Sequence, residues 1–241
     1  REEIKVLIHG AAGRTGEDYL IIESTRMVIT YLLEASTPKT DYKITATINN
    51  NGLEDHPDFN NPNLTVIKNR FIDEVEVKKL VSSHDIIIFA AGTKLSNAFF
   101  PNKVYSRPAE WIREAIIETQ KNIPGKQIKF IGITAMSARN ADKGPLWNQY
   151  TFGIWCRPSF EDMILFEDTF LEATDGKKVN YIFLRPPGLT NDIPDHEVQV
   201  DPEKRPDGEF RVKRKVLAKF IVNECVLGNK YDGRAIVLVH E

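Results

Sequence analysis

The most chemically suggestive residues lie near the start of the chain, in His9-Gly10-Ala11-Ala12-Gly13-Arg14-Thr15-Gly16. The spacing is G-x-x-G-x-x-G. Glycine, lacking a Cβ, allows a tight strand-to-helix turn, lets backbone approach a pyrophosphate, and lets the following helix pack closely. Free N–H groups at a helix start, with the positive end of its dipole, then hold phosphate oxygens. In isolation such a pattern is also compatible with a plain tight turn. Between a strand and a helix it points to a dinucleotide cradle built from Gly10, Gly13, Arg14, Thr15 and Gly16.

A second signal sits at the end of the next strand-like run, Ile48-Asn49-Asn50-Asn51, with no acid until Glu54. In dinucleotide folds an acidic side chain here accepts from the ribose 2′-hydroxyl and repels a 2′-phosphate. Asn49 and Asn50 carry no charge, and their amides can donate to a phosphate. Arg14 points the same way, because its guanidinium fork suits a phosphate dianion; the alternative is an arginine facing solvent or a nearby carboxylate. NADP(H) is therefore the expected cofactor, with NAD(H) the lesser alternative.

Other residues carry weaker signals. The histidines His9, His56, His84, His196 and His240 show no i, i+4 pairing, so no metal site is expected. The acidic residues between Asp192 and Asp207 miss calcium-loop spacing and read as a solvated loop. Arg211, Lys213, Arg214 and Lys215 form a short basic cluster, read as a solvated face before a phosphate patch. Trp147, Tyr150, Phe152 and Trp155 gather after the fifth strand, where a planar aromatic acceptor would stack; a satellite hydrophobic cluster is the equal alternative.

The elements that must position these residues alternate. Strands are expected at Ile4–His9, Tyr42–Ile48, Leu64–Lys68, Asp85–Ala91, Gln127–Thr134, Val179–Leu184 and Ala235–Val239. Helices are expected from Gly16 to Ala35, through Val81 behind an Asp73 N-cap, and over Ala109–Lys121, Phe160–Ala173 and Val212–Leu227. That alternation predicts an α/β fold, a doubly wound, mostly parallel sheet with helices on both faces, Rossmann-like in kind. One domain over residues 1–241 is expected, with a polar loop around 191–211 as a substrate lid.

Composition sets the outer limits. The 241 residues are 41% hydrophobic and 27% charged, which suits a globular chain rather than a disordered one. Lys plus Arg number 32 against 34 Asp plus Glu, a net charge of −2, which argues against nucleic acid or an anionic membrane as the partner. Cys156 and Cys225 are too few for a disulfide framework and read as buried thiols. No apolar run approaches the roughly 20 residues needed to span a bilayer. The opening Arg-Glu-Glu runs straight into a strand without a signal-peptide pattern. A cytoplasmic protein is expected.

His-Gly-Ala-Ala-Gly-Arg-Thr-Gly at the first turn and Phe-Ala-Ala-Gly at Phe89–Gly92 resemble the short-chain dehydrogenase/reductases. Arg185-Pro-Pro-Gly-Leu-Thr190 narrows the resemblance to the atypical, NmrA-like NAD(P)H-binding group. Lys230-Tyr-Asp-Gly233 is similar to the biliverdin-IXβ reductase and flavin reductase branch. The segment from Lys94 to Ile123 looks longer than in the small flavin reductases.

The resemblance implies that Ala90, Ala91, Gly92, Thr134, Pro186 and Leu189 face the cofactor, with Ser137 and Tyr150 at the catalytic positions. The family's tyrosine is paired with a lysine four residues on, which lowers the phenol pKa for proton transfer. Ile154 occupies that place here. The family's acidic adenine contact after the third strand aligns with Arg70, which either stacks on adenine or faces solvent. Two functions follow as expectations. One is an NAD(P)H-dependent oxidoreductase passing hydride to a flavin, quinone or similar conjugated small molecule. The other is an NAD(P)-sensing regulator or scaffold, which would take a protein partner.

Overall fold

Short β-branched runs, each closed by glycine or a polar turn, become the strands of a central sheet. The strands are β1 (Glu2–Ala12), β2 (Thr40–Ile48), β3 (Leu64–Lys68), β4 (Ile86–Phe89), β5 (Lys129–Ile133), β6 (Asn180–Arg185), β7 (Gly188–Thr190), β8 (Val198–Val200), β9 (Arg211–Lys213) and β10 (Arg234–His240). The helices are α1 (Ile22–Glu34), α2 (Glu74–Ser82), α3 (Ser106–Asn122), α4 (Met136–Arg139), α5 (Arg157–Leu171) and α6 (Arg214–Phe220), the last running into a π-helical turn, Ile221–Val226. This computed structural model describes residues 2–12, 22–48, 53, 56–69, 71–92, 100–101, 103–139, 154, 156–172, 179–194, 198–200 and 211–240.

The large sheet runs β3-β2-β1-β4-β5-β6-β10-β8. Its first seven strands are parallel, and β8 pairs antiparallel with β10 at the edge. Residues alternate between the two faces along each strand. Val6, Ile8, Ile44, Ile88, Ile131 and Leu184 meet α1 and α6 on one side. Leu7, Ile87, Phe89, Phe130 and Phe183 meet α2, α3 and α5 on the other. The second core is aromatic: Phe130 stacks on Phe170 at 4.5 Å and 4°, and Phe183 meets Phe166 edge-on at 5.3 Å. A Cβ on Gly132 would lie 2.5 Å from the Phe183 ring, so this glycine makes room for it.

Most expected elements stand where their periodicity put them, and β3 has the expected bounds. Asp73 caps α2 by accepting from the Glu76 N–H at 2.9 Å. The start of α3 lies three residues earlier than expected, because Asp162 of α5 caps it from a distance. That buried carboxylate accepts from the Tyr105 N–H at 2.8 Å, the Ser106 N–H at 3.1 Å and the Ser106 hydroxyl. The described part of α1 begins at Ile22; residues 16–21 of the expected helix lie outside the described residues.

Two expectations need correction. The helix expected over Val212–Leu227 starts at Arg214, because Arg211–Lys213 forms β9, parallel to β7, with Val212 fully buried. The loop around 191–211 is not a free lid along its whole length: Val198–Val200 is hydrogen-bonded to β10, and Arg211 belongs to β9. Residues 195–197 and 201–210 lie outside the described residues.

Both cysteines are buried free thiols, and burial pushes the Cys225 thiol up to about 12. Among the described residues, no helix is long and apolar enough to cross a membrane.

Candidate functional site

In a parallel sheet ligands gather at the carboxyl ends of the strands, at the point where strand order reverses. Here the chain builds β1, β2 and β3 outward in one direction and then crosses back to add β4 on the other side of β1. The reversal therefore lies between β1 and β4, with Gly10 in β1 and Ala90-Ala91-Gly92 directly after β4.

Gly10 carries the geometry that glycine alone tolerates. Its φ is +87°, and a Cβ there would lie 2.3 Å from the Ala90 carbonyl oxygen. The register of β1 slips between His9 and Ala12 at the same point, so the chain bends as it leaves the sheet. The Ala90 N–H donates to the His9 carbonyl at 2.9 Å, and the Thr25 hydroxyl of α1 donates to the Gly10 carbonyl at 3.3 Å. Those bonds bind the ends of β1 and β4 and the body of α1 together. Ala90 and Ala91 are buried, while Gly92 is exposed and a Cβ on it would meet nothing within 4 Å among the described residues. Backbone is thus packed tightly where the ends of β1 and β4 meet.

Behind Gly10 sits a buried imidazole. His9 Nδ1 lies 2.7 Å from Thr47 Oγ1, and the ring stacks on Phe71 at 3.9 Å and 28° and meets Phe89 at 5.0 Å. Burial lowers its pKa to about 3, so the ring is neutral. Phe71 is itself held in the left-handed region, φ +54°, with its N–H donating to Asn69 Oδ1 at 2.8 Å. The turn after β3 is thereby fixed against the end of β1.

The other half of the crevice lies at the ends of β5 and β6. Thr134 follows β5, and its hydroxyl donates to Glu167 Oε1 at 2.6 Å. Its side chain therefore faces α5. Glu167 is fully buried and also accepts from Arg139 Nε at 2.7 Å and from Arg185 Nη2 at 2.6 Å. Arg139 reaches on to Asp168 of α5 and to the Ile164 carbonyl. Backbone bonds join the same loops: the Thr134 N–H donates to Leu184 O at 2.9 Å, and the Met136 N–H to Pro186 O at 3.0 Å.

Pro186 and Leu189 are buried beside this junction. Ser137, on the short α4, is half-buried and its hydroxyl takes no partner among the described residues. The structure thus brings Gly10, Ala90, Ala91, Gly92, Thr134, Ser137, Pro186 and Leu189 to one edge of the sheet. Gly13, Arg14, Thr15, Gly16, Asn49, Asn50, Arg70 and Tyr150 lie outside the described residues.

Sequence reasoning passed over Glu167, Arg139 and Arg185. A signal was present for the first: Met163, Phe166, Glu167 and Phe170 share the buried stripe of α5, and a charge on such a stripe must be paired. Nothing in the spacing of Arg139 or Arg185 named them as its partners.

These residues fit a dinucleotide. The tight backbone turn at Gly10, with its positive φ, set beside Ala90–Gly92 where the strand order reverses, makes the kind of cradle a pyrophosphate enters. A model of the NAD(P)H-binding family matches residues 10–226. Three solved structures share the fold across nearly the whole chain. A short-chain dehydrogenase/reductase from Veillonella parvula in complex with NADP has a TM-score of 0.68 at 17% identity, covering 98% of this chain and 94% of that one. A candidate NADH-flavin reductase from Streptococcus pneumoniae has a TM-score of 0.66 at 14% identity, covering 99% and 100%. An anaerobilin reductase from Escherichia coli has a TM-score of 0.62 at 17% identity, covering 98% and 96%. No protein of curated function matches the sequence.

Proposed function

The chain belongs to the NAD(P)H-binding family, and from that premise we propose that it is an NAD(P)H-dependent oxidoreductase acting on a flavin, quinone or similar conjugated small molecule. The observation that carries the reading is Gly10: a left-handed glycine packed on the β4 backbone where the strand order reverses. Bound along the strand ends, the reduced nicotinamide supplies the hydride. The chain's own work is to bind, align and exclude water.

In this reading Gly10, Gly13, Thr15 and Gly16 hold the pyrophosphate. Arg14, Asn49 and Asn50 take the 2′-phosphate, and Arg70 lies at the adenine. Ala90, Ala91 and Gly92 floor the ribose side, and Thr134, Pro186 and Leu189 wall the nicotinamide side. Ser137 and Tyr150 face the acceptor, and the whole chain acts as one domain. An acceptor that takes hydride into a conjugated ring needs little acid–base help, which suits the missing lysine partner at Ile154, 59% exposed on its own. The names of the candidate flavin reductase and the anaerobilin reductase favour planar, conjugated acceptors.

Steady-state oxidation of NADPH with riboflavin and a quinone panel tests the reading. Turnover is expected with at least one of them, and none across a varied panel overturns it. Cofactor choice is tested separately by Arg14→Ala. Losing one charge-assisted phosphate contact costs roughly 1.5–3 kcal/mol, a ten- to hundred-fold loss of NADPH affinity. NADH affinity is expected to stay within twofold; equal weakening of both cofactors overturns the NADP(H) assignment.

A second reading, an NAD(P) sensor that binds a protein partner without turnover, draws on Ile154, which stands where the family's lysine would be. Cofactor binding with no turnover on any acceptor would favour it.

A further inference from the structure

Glu167 is a fully buried acid with two guanidinium partners, and none of the assigned roles uses it. It is fully buried on α5 and accepts four hydrogen bonds: from the Thr134 hydroxyl at 2.6 Å, from Arg139 Nε at 2.7 Å, and from Arg185 Nε at 3.1 Å and Nη2 at 2.6 Å. Thr134 is the first residue beyond β5, Arg185 is the last of β6, and Arg139 ends the helix that carries Ser137. One carboxylate thus grips both loops that wall the β5–β6 half of the crevice, together with the turn between them.

We propose that Glu167 is a positioning residue that holds the β5 and β6 loops at the separation a nicotinamide ring needs, while the adenosine half of the cofactor is held elsewhere. The inference rests on the reading of this crevice as a cofactor site. Its physical basis is charge. Two guanidiniums, with side chains only 26% and 12% exposed, converge on one buried acid. Removing the negative charge leaves Arg185 without an acid among the described residues and Arg139 with Asp168 alone, so the two guanidiniums face each other with one countercharge fewer. Arg139 ends the helix after β5 and Arg185 ends β6, so their separation widens the crevice where the nicotinamide would sit. The β1–β4 cradle shares none of these bonds and is predicted not to respond.

Glu167→Gln tests this, because glutamine keeps the size and loses the charge. The probes are NADPH and 2′,5′-ADP, which carries the adenosine half without nicotinamide. Binding of each is titrated on the full chain below the melting point, and the nicotinamide fluorescence of bound NADPH is recorded. The expected result is 2′,5′-ADP affinity within twofold of wild type, NADPH affinity lowered about tenfold, and bound-state fluorescence shifted toward that of free NADPH. Unchanged NADPH affinity and fluorescence overturn the proposal. So does equal weakening of both probes, which marks a merely structural residue.

Should Glu167→Gln fail to fold, Arg139→Gln asks the same question with the Glu167–Arg185 pair intact. It is expected to weaken NADPH about threefold and leave 2′,5′-ADP unchanged, and the same two contrary outcomes overturn the proposal. Failure of a wild-type chain to bind either probe overturns the cofactor reading and this inference with it. A wild type that binds both, beside a Glu167→Gln chain indistinguishable from it, overturns this inference alone.

Discussion

Gly10 and His9 are neighbours whose constraints differ in kind. Gly10→Ala adds a methyl 2.3 Å from a backbone oxygen at a φ of +87°, and the atom it meets belongs to the adjoining strand end rather than to a flexible side chain. Strain and overpacking together are expected to cost about 2–4 kcal/mol in urea denaturation and to abolish NADPH binding. A stable variant that still bound the cofactor would remove Gly10 from the cradle. His9 is constrained by desolvation. Its pKa falls from 6.5 to about 3 on burial. Below pH 6.5 the unfolded chain therefore takes up a proton that the folded chain refuses, and stability falls as the pH drops toward 3. The slope approaches about 1.4 kcal/mol per pH unit. His84, lowered in the same direction by burial, adds to it. Denaturation midpoints at pH 7, 6 and 5 for wild type and His9→Gln check this; the variant is expected to show the shallower decline, and parallel curves would refute the assignment to His9.

Elements were legible where a pattern repeats and hidden where a partner is distant. Leu64–Lys68 is a short β-branched run between Asn63 and Asn69, and its strand bounds follow directly. The four-residue β4 reads as a buried strand because Ile86, Ile87, Ile88 and Phe89 are apolar on both faces. Three-residue strands such as β8 and β9 are too short to show any period, and their pairing with β10 and β7 is decided by tertiary contacts. The same limit hid the cap of α3. Asp162 lies 57 residues beyond Tyr105, and no local capping rule reaches that far. Asp162→Ala leaves two N–H groups at the α3 start without their acceptor. The expected cost is about 2–3 kcal/mol, read by urea denaturation, with far-UV helicity reduced. A loss below 0.5 kcal/mol would show that the cap contributes little. In the candidate site the backbone features announced themselves as glycines, while the Glu167 network showed only one of its members, an acid on an apolar stripe.

At the scale of the whole molecule, cofactor binding and folding are one equilibrium. The crevice draws on the ends of β1, β4, β5 and β6, which lie side by side in the middle of the sheet and carry both cores. A ligand bound there is lost when the sheet unfolds, so it stabilises the native state by RT ln(1 + [L]/Kd). That is about 2.7 kcal/mol at one hundred times Kd. For a chain of this size each kcal/mol raises Tm by roughly 2–4 °C, which gives an expected rise of about 5–11 °C with saturating NADPH. NADH at the same concentration, bound ten- to hundred-fold more weakly if Asn49, Asn50 and Arg14 serve the 2′-phosphate, forgoes about 1.3–2.3 kcal/mol of that. Its rise is then smaller by about 3–9 °C. The ordering NADPH above NADH, collapsing to equality in Arg14→Ala, ties the choice of cofactor to the glycine loop rather than to the fold at large. A wild-type chain whose Tm moves with neither nucleotide would show that the crevice, however well formed its backbone, does not hold a dinucleotide.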